Sequence, residues 1–255
     1  MTISNSYYLK FAKNIYSQCG EDGIIERLLK DLNIRSGGIV VEFGACDGVF
    51  LSNTVNLWKD GKFKSILIES DAEKCNDLFS NCGHLEHIEC INKFVNPDSS
   101  HEDCLDNILQ NSKFKVTSSN FAILSIDVDT CDYHIFESLV KFTPKIVVIE
   151  TNTNFAPNED HISNMGSSLK SITDLAEKKG YKLVCHTGNA FYVRNDLTDK
   201  LVDSDFSIEN LSLGNDEVDI LQQLGPEGKS LGYLYWASEN YKKNVTETIR
   251  QLKCN

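Results

Sequence analysis

The stretch that most constrains this chain runs from Gly38 to Thr54, GIVVEFGACDGVFLSNT. Ile39, Val40, Val41 and Phe43 form the short apolar run of a strand buried on both faces. Glu42 lies within the end of that run. Gly44 and Gly48 bracket a tight turn around Asp47, and Ser52 or Asn53 is placed to cap a helix through Leu57 and Trp58. Strand, acidic residue, glycine turn and helix, in that order, predict the first unit of a nucleotide- or nucleoside-binding α/β fold. The plainer alternative is a buried strand followed by a capped helix.

The chemistry of the turn narrows the ligand. A dinucleotide site uses G-x-G-x-x-G to lay a pyrophosphate on a helix N-terminus. This turn has only Gly44 and Gly48, and it carries Glu42 and Asp47, whose charge opposes a pyrophosphate. It suits a ligand with a cationic end, such as the sulfonium and α-amino group of S-adenosylmethionine. The next apolar run, Lys64 to Ile68, ends at Glu69, where an acidic side chain can accept both ribose hydroxyls of a nucleoside. Asp71 then opens a helix through Leu78 and Phe79.

Two further runs carry polar groups to one edge. Phe121 to Ile126 ends in Asp127-Val-Asp129-Thr-Cys-Asp132, and Lys145 to Ile149 ends in Glu150-Thr-Asn152. Open α/β sheets bind ligands at the carboxyl ends of their strands, which is where these groups fall. Caps and Asx turns are the structural alternative, and Asp132 reads as one. The polar loop Asn154 to Gly166 contains His161, its one side chain that titrates near neutrality and so a candidate general base; simple exposure is the rival reading. Ser167 to Lys179 is an amphipathic helix ended by Gly180. Lys182 to His186 and Ala190 to Arg194 form a hairpin about Thr187-Gly-Asn189.

Upstream, Ile24, Ile25, Leu28, Leu29 and Leu32 form a helical stripe preceded by SQCGED, read as a helix cap in preference to a segment in which Gln18 closes over a cofactor. Short helices are expected over His101 to Leu109 and Val218 to Leu224, and a last one over Glu239 to Leu252. Cys75, Cys82, His84, His87 and Cys90 cluster, but at no spacing of a standard zinc site.

Net charge is −12 over 255 residues, which provides no basic footprint for nucleic acid or for anionic membranes. The 9 cysteines include no C-x-x-C pair, no apolar signal core opens the chain, and no run is long enough to span a bilayer, so reduced thiols in a cytoplasmic compartment are expected.

The motif order resembles class I S-adenosylmethionine-dependent methyltransferases, and more narrowly the FkbM-like family. The matching stretches are SQCGEDG (17–23), VEFGACDGVFLSNT (41–54), ILIESD (66–71), LSIDVDTCDYHIFESL (124–139), PKIVVIETN (144–152) and the GYKLV and NAFYV segments, together covering roughly residues 16 to 194. The resemblance implies a Rossmann-like α/β fold: a mostly parallel seven-stranded sheet with an antiparallel last strand and helices on both faces. It divides the chain into an N-terminal helical cap (1–37), the core (38–194) and a C-terminal extension (195–255). The tail either covers the substrate end or makes a homo-oligomer contact.

Carried onto these positions, the cofactor residues are Glu42, Gly44, Asp47, Gly48, Asn53, Glu69 and Asp71. The two glycines allow close backbone approach, Glu42 and Asp47 face the amino-acid end, Glu69 holds the ribose, and Asp71 lies near the adenine. Asp127, Glu150 and His161 face the methyl acceptor, a hydroxyl of a small-molecule sugar or glycan. Asp127, Asp129, Glu150 and Asn152 are oxygen ligands of the kind Mg2+ takes. The family motif has a glycine where this chain has Thr130, which alters the local turn. Two rival functions are an NAD(P)-dependent Rossmann oxidoreductase and a non-catalytic nucleoside- or sugar-binding module on the same fold.

Overall fold

The computed structural model describes residues 6–128, 130–202 and 204–254. Seven strands form one sheet in the order β3-β2-β1-β4-β5-β7-β6. They are β1 (Ile39–Phe43), β2 (Lys64–Glu69), β3 (Ile88–Asn92), β4 (Phe121–Ile126), β5 (Ile146–Glu150), β6 (Tyr181–His186) and β7 (Asn189–Arg194). The first five pair in parallel; β7 pairs antiparallel with both β5 and β6, so β6 runs with the rest. The architecture is the expected Rossmann-like one. The antiparallel strand is last in sequence but lies between β5 and β6, because the tight Thr187-Gly188 turn folds it back inside.

Strand periodicity explains the two layers. In β1, Val40 faces a core with Ile24, Leu28 and Trp58, whereas Ile39, Val41 and Phe43 face a second core with Ile135, Phe136 and Ile172. The described helices that supply these layers are α1 (Glu21–Asp31), α2 (Val55–Trp58), α3 (Ala72–Cys82), α4 (Leu105–Gln110), α5 (Asp132–Ser138) and α6 (Leu169–Lys178). Both strand faces are buried, so the strands read as continuous apolar runs instead of alternating ones.

Several sequence-predicted boundaries move. α2 begins after Thr54, yet Ser52 still serves its N-terminus, its hydroxyl accepting from the amides of Thr54 and Val55 at 3.1 and 3.0 Å. α4 starts at Leu105 instead of His101, which lies in a turn accepting the Asp103 amide. The helix expected over Val218 to Leu224 is α8, Asn215–Leu221, preceded by α7, Ile208–Leu211, which was not anticipated. α9, Glu239–Leu252, has the predicted bounds.

Both ends of the chain pack on the same core. Tyr8, Ile24 and Tyr241 belong to one apolar cluster with Val40 and Ile123. The buried Tyr241 hydroxyl accepts from the Leu51 amide at 2.7 Å and donates to the Tyr16 carbonyl at 2.6 Å. The Asn14 amide donates to the carbonyls of Leu221 and Leu224, each at 2.9 Å. α9 and the N-terminal segment therefore brace the turn that follows β1.

Candidate functional site

The chain leaves β1 toward β2 and β3 on one side and returns through β4 toward β5 on the other. The strand order thus reverses between β1 and β4, and a crevice opens above their carboxyl ends. A cleft of ≈ 780 Å3 occupies this position, walled by Gly44 after β1, Glu69 of β2, Asp127 after β4, Glu150 of β5 and Asn189 of β7.

The turn after β1 is over-determined. Gly44 has φ +76°, and a Cβ there would stand 1.9 Å from the Asp127 carbonyl oxygen. Only glycine lets β1 close against the end of β4. Asp47 Oδ1 accepts from the amides of Val49 and Phe50 at 2.9 and 2.7 Å. Gly48, at φ +89°, faces Leu78 and Cys82 of α3. Glu42, 5% exposed, accepts from the Ser52 hydroxyl (2.7 Å), the Asn53 amide (2.8 Å) and the Thr54 hydroxyl (2.5 Å). Burial pushes the Glu42 carboxyl above its usual range.

These contacts place three of the expected cofactor residues away from the cleft wall. Glu42, Asp47 and Gly48 do not line the cleft; they hold the turn from beneath. Alternation along β1 sends the Glu42 side chain to the same face as Val40, into the layer instead of over the edge. Gly44 and Asn53 do line the cleft, the Asn53 side-chain amide donating to Ser125 Oγ at 3.2 Å.

Glu69 and Asp71 also reach the cleft. Glu69, 6% exposed, accepts the Cys46 amide on one oxygen and the Asp71 amide on the other, both at 2.8 Å. It ties the β1 turn to the end of β2 and, with two lone pairs per oxygen, retains acceptor capacity. Asp71 caps α3, taking the Glu73 and Lys74 amides at 2.8 and 3.0 Å; these bonds, that from Lys74 foremost, hold its carboxyl below the usual range. Lys74, Lys93 and the exposed Phe94 complete this end.

At the other end, Asp127 and Glu150 line the cleft and His161 does not. The His161 ring stacks on Phe155 at 4.1 Å, and its amide donates to the hydroxyls of Ser168 and Ser171. Asn152 is also turned away: its side chain binds Asn154 and the Met165 carbonyl. Asp129 lies outside the described residues. Among the described residues, no three His, Cys, Asp or Glu side chains are grouped to hold a metal ion. Of the Mg2+ set drawn from resemblance, Asp127 and Glu150 line the cleft and Asn152 does not. In the cysteine cluster, His84 and His87 bond to the backbone carbonyls of Leu252 and Trp58.

Sequence reasoning missed several wall residues. Cys19 and Glu21 of SQCGED line the cleft beside Gln18, the one residue of that segment weighed as a cofactor contact, and so do Val218 of α8 and Gln222 just after it. In the same segment Asp22 accepts the amides of Ile15, Tyr16 and Ser17, each at 2.8 Å, and so holds the loop that leads into α1, whose N-cap residue is Gly20 with no side-chain cap bond.

A buried histidine stiffens the floor beside Glu150. His186 Nδ1 accepts the Leu213 amide at 3.0 Å, so Nε2 carries the proton and donates to Thr151 Oγ1 at 2.8 Å; that hydroxyl donates to the Gly188 carbonyl at 2.6 Å. Burial lowers the imidazole from 6.5 to about 4. A depressed histidine pKa means the unfolded chain binds the proton more readily, so its contribution is intact above pH 6.5 and fades toward pH 4. The stability difference between wild type and His186→Gln is expected to shrink by about 3 kcal/mol over that window, read by urea denaturation. An imidazole NMR titration with a midpoint near 6.5 would contradict the burial argument.

No protein-family model matches the chain, and no curated protein matches it. Among solved structures it is similar to an S-adenosylmethionine-dependent methyltransferase from Aquifex aeolicus, at 14% identity and TM-score 0.41, over 66% of this chain and 87% of that one. It is similar to the CMeT domain of citrinin polyketide synthase, at 12% identity and TM-score 0.43, over 68% of this chain and 51% of that one, so it spans about half that protein's length. It is also similar to M. capricolum TrmK in complex with S-adenosylhomocysteine, at 14% identity and TM-score 0.42, over 89% and 97% of the two chains. Among the described residues, no helix is long and apolar enough to cross a membrane.

Proposed function

We propose that this protein is an S-adenosylmethionine-dependent methyltransferase acting on a hydroxyl of a small polar acceptor of sugar type. The observation that carries the reading is Glu69. A nearly buried carboxylate at the end of β2, fixed by two backbone amides, faces a cleft at the point where strand order reverses. That is where a ribose finds paired acceptors for its hydroxyls. Phe94 and Val95 offer an apolar wall beside it for a base.

Bound in this cleft, S-adenosylmethionine would supply an activated methyl group. The chain's own part is alignment and proton handling. Gly44 and Asn53 shape the middle of the cleft, and Asp127 and Glu150 face the region beyond it. Either carboxylate can take the proton of an attacking hydroxyl, and holding the reactants in line removes much of the entropic barrier.

The test is transfer of tritium from methyl-labelled S-adenosylmethionine to a panel of sugars and small alcohols. Label in product is expected from the wild type, and far less from Glu69→Ala at cofactor concentrations near the wild-type Kd. Oxidation or reduction of a nicotinamide by the same panel, with no label transferred, would replace this reading with the oxidoreductase one.

A further inference from the structure

One buried atom in the wall of the cleft has no partner. Asn189 lines the cleft at the start of β7, and its side-chain oxygen is covered from solvent yet accepts no hydrogen bond among the described residues. Buried polar atoms are bonded in about nine cases of ten, so an orphan in a cleft wall calls for an explanation.

The orientation of that amide is set by its neighbours. Asn189 Nδ2 donates to Glu21 Oε1 at 3.0 Å. The same Glu21 oxygen faces the Thr187 hydroxyl at 3.3 Å, and Oε2 takes the Cys19 amide at 2.7 Å. Glu21 is thus engaged as an acceptor on both oxygens. Turning the Asn189 amide over would set oxygen against oxygen, so the carbonyl end is the one left without a partner. The Thr187 amide, bonded to the Asn189 carbonyl at 2.8 Å, and Thr151, whose amide and hydroxyl both donate to the Gly188 carbonyl, keep the turn in place.

Strand pairing adds the second half. Asn189 stands directly opposite Glu150 in the antiparallel β5–β7 pair. Residues so paired place their side chains on one face, with Cβ atoms roughly 5 Å apart. Glu21, Asp127 and Glu150 supply the charge in this part of the wall, whereas the lining cations, Lys74 and Lys93, stand at the Glu69 end.

We infer that the Asn189 carboxamide oxygen, oriented by Glu21 and set beside Glu150, receives a hydrogen-bond donor of the methyl acceptor and selects a neutral or cationic, donor-rich molecule over an anionic one. Asn189 is then a substrate-binding residue and Glu21 a positioning residue. This rests on the methyltransferase reading of the cleft. A phosphate or carboxylate at the same place would bring acceptors against acceptors and meet like charge.

The test uses full-length protein saturated with S-adenosylhomocysteine, titrated calorimetrically with neutral hexoses, pentoses and aminosugars, each paired with its phosphate ester or uronate. At least one neutral or amino member is expected to bind, at least tenfold more tightly than its anionic partner. Asn189→Leu, which removes the acceptor, is expected to weaken it at least tenfold and leave the S-adenosylhomocysteine affinity within twofold. Glu21→Gln provides a donor that lets the Asn189 amide turn over, and is expected to have the same effect. S-adenosylhomocysteine affinity reports that both variants are folded, and a purely structural role would not move the neutral-to-anionic ratio. Tighter binding of an anionic member, no binding of any neutral member, or unchanged acceptor affinity in both variants overturns the inference. Failure of the wild type to bind S-adenosylhomocysteine would instead remove the methyltransferase reading beneath it.

Discussion

Glu69→Ala is expected to weaken S-adenosylhomocysteine binding by on the order of 100-fold. Hydrogen bonds to a charged group contribute roughly 1.5–3 kcal/mol each, and the carboxylate is assigned both ribose hydroxyls. Part of the loss is local, because Glu69 also accepts the Cys46 and Asp71 amides that shape the cleft. Glu69→Gln separates the two contributions: it keeps one carbonyl oxygen and the side-chain volume, so it should retain more of the turn than of the affinity. The thermal midpoints of both variants provide the control. A change of less than about threefold for the alanine variant, with the fold intact, would mean that Glu69 does not face the nucleoside.

The largest effect on the folded state is expected at Gly44. Gly44→Ala forces a side chain into left-handed backbone at φ +76° and drives its Cβ to 1.9 Å from the Asp127 carbonyl, an approach no relaxed structure tolerates. Backbone strain of this kind costs about 1–3 kcal/mol, and separating β1 from β4 adds to it. The expected result is a loss of more than about 3 kcal/mol and no measurable cofactor binding. Gly37→Ala is the matched control. Its φ is +78°, but nothing lies within 4 Å of the added carbon, so it should lose only the backbone contribution, about 1–2 kcal/mol. Urea denaturation of the two variants measures the difference. Equal losses would show that close strand approach at Gly44 does not matter.

The sheet was legible because its strands are apolar on both faces and its turns carry glycine where φ is positive. Glu69 was legible for a related reason: the end of a buried parallel strand is a fixed place in such a fold. The turn carboxylates Glu42 and Asp47 lie off the cleft wall because nearness to a turn does not say where a side chain points. Strand alternation contains that information for Glu42, which shares the face of Val40 and is consumed by Ser52, Asn53 and Thr54. His161 illustrates the opposite difficulty. A loop has no period, and the ring is taken by Phe155 within the loop itself. Glu21 and Gln222 are brought to the cleft with contacts between chain ends, such as Asn14 with Leu221 and Tyr16 with Tyr241, that no local pattern encodes.

The Cys19 thiol shows how deeply the N-terminal segment is integrated. Burial, with Glu21 next to it, raises its proton affinity, so it stays a neutral wall group instead of a nucleophile. The same segment carries Glu21, whose carboxyl burial also pushes upward. Asp127 and Glu150, to which the proposed function gives the proton of an acceptor hydroxyl, are less enclosed than Glu21 and line the cleft beside the β1 turn.

The most direct measurement is calorimetric titration of the purified wild-type protein with S-adenosylhomocysteine. A single site of micromolar affinity is expected, weakened on the order of 100-fold in Glu69→Ala. Absence of binding up to millimolar ligand, by a protein whose thermal unfolding is cooperative, would contradict the assignment of this cleft to an S-adenosyl cofactor.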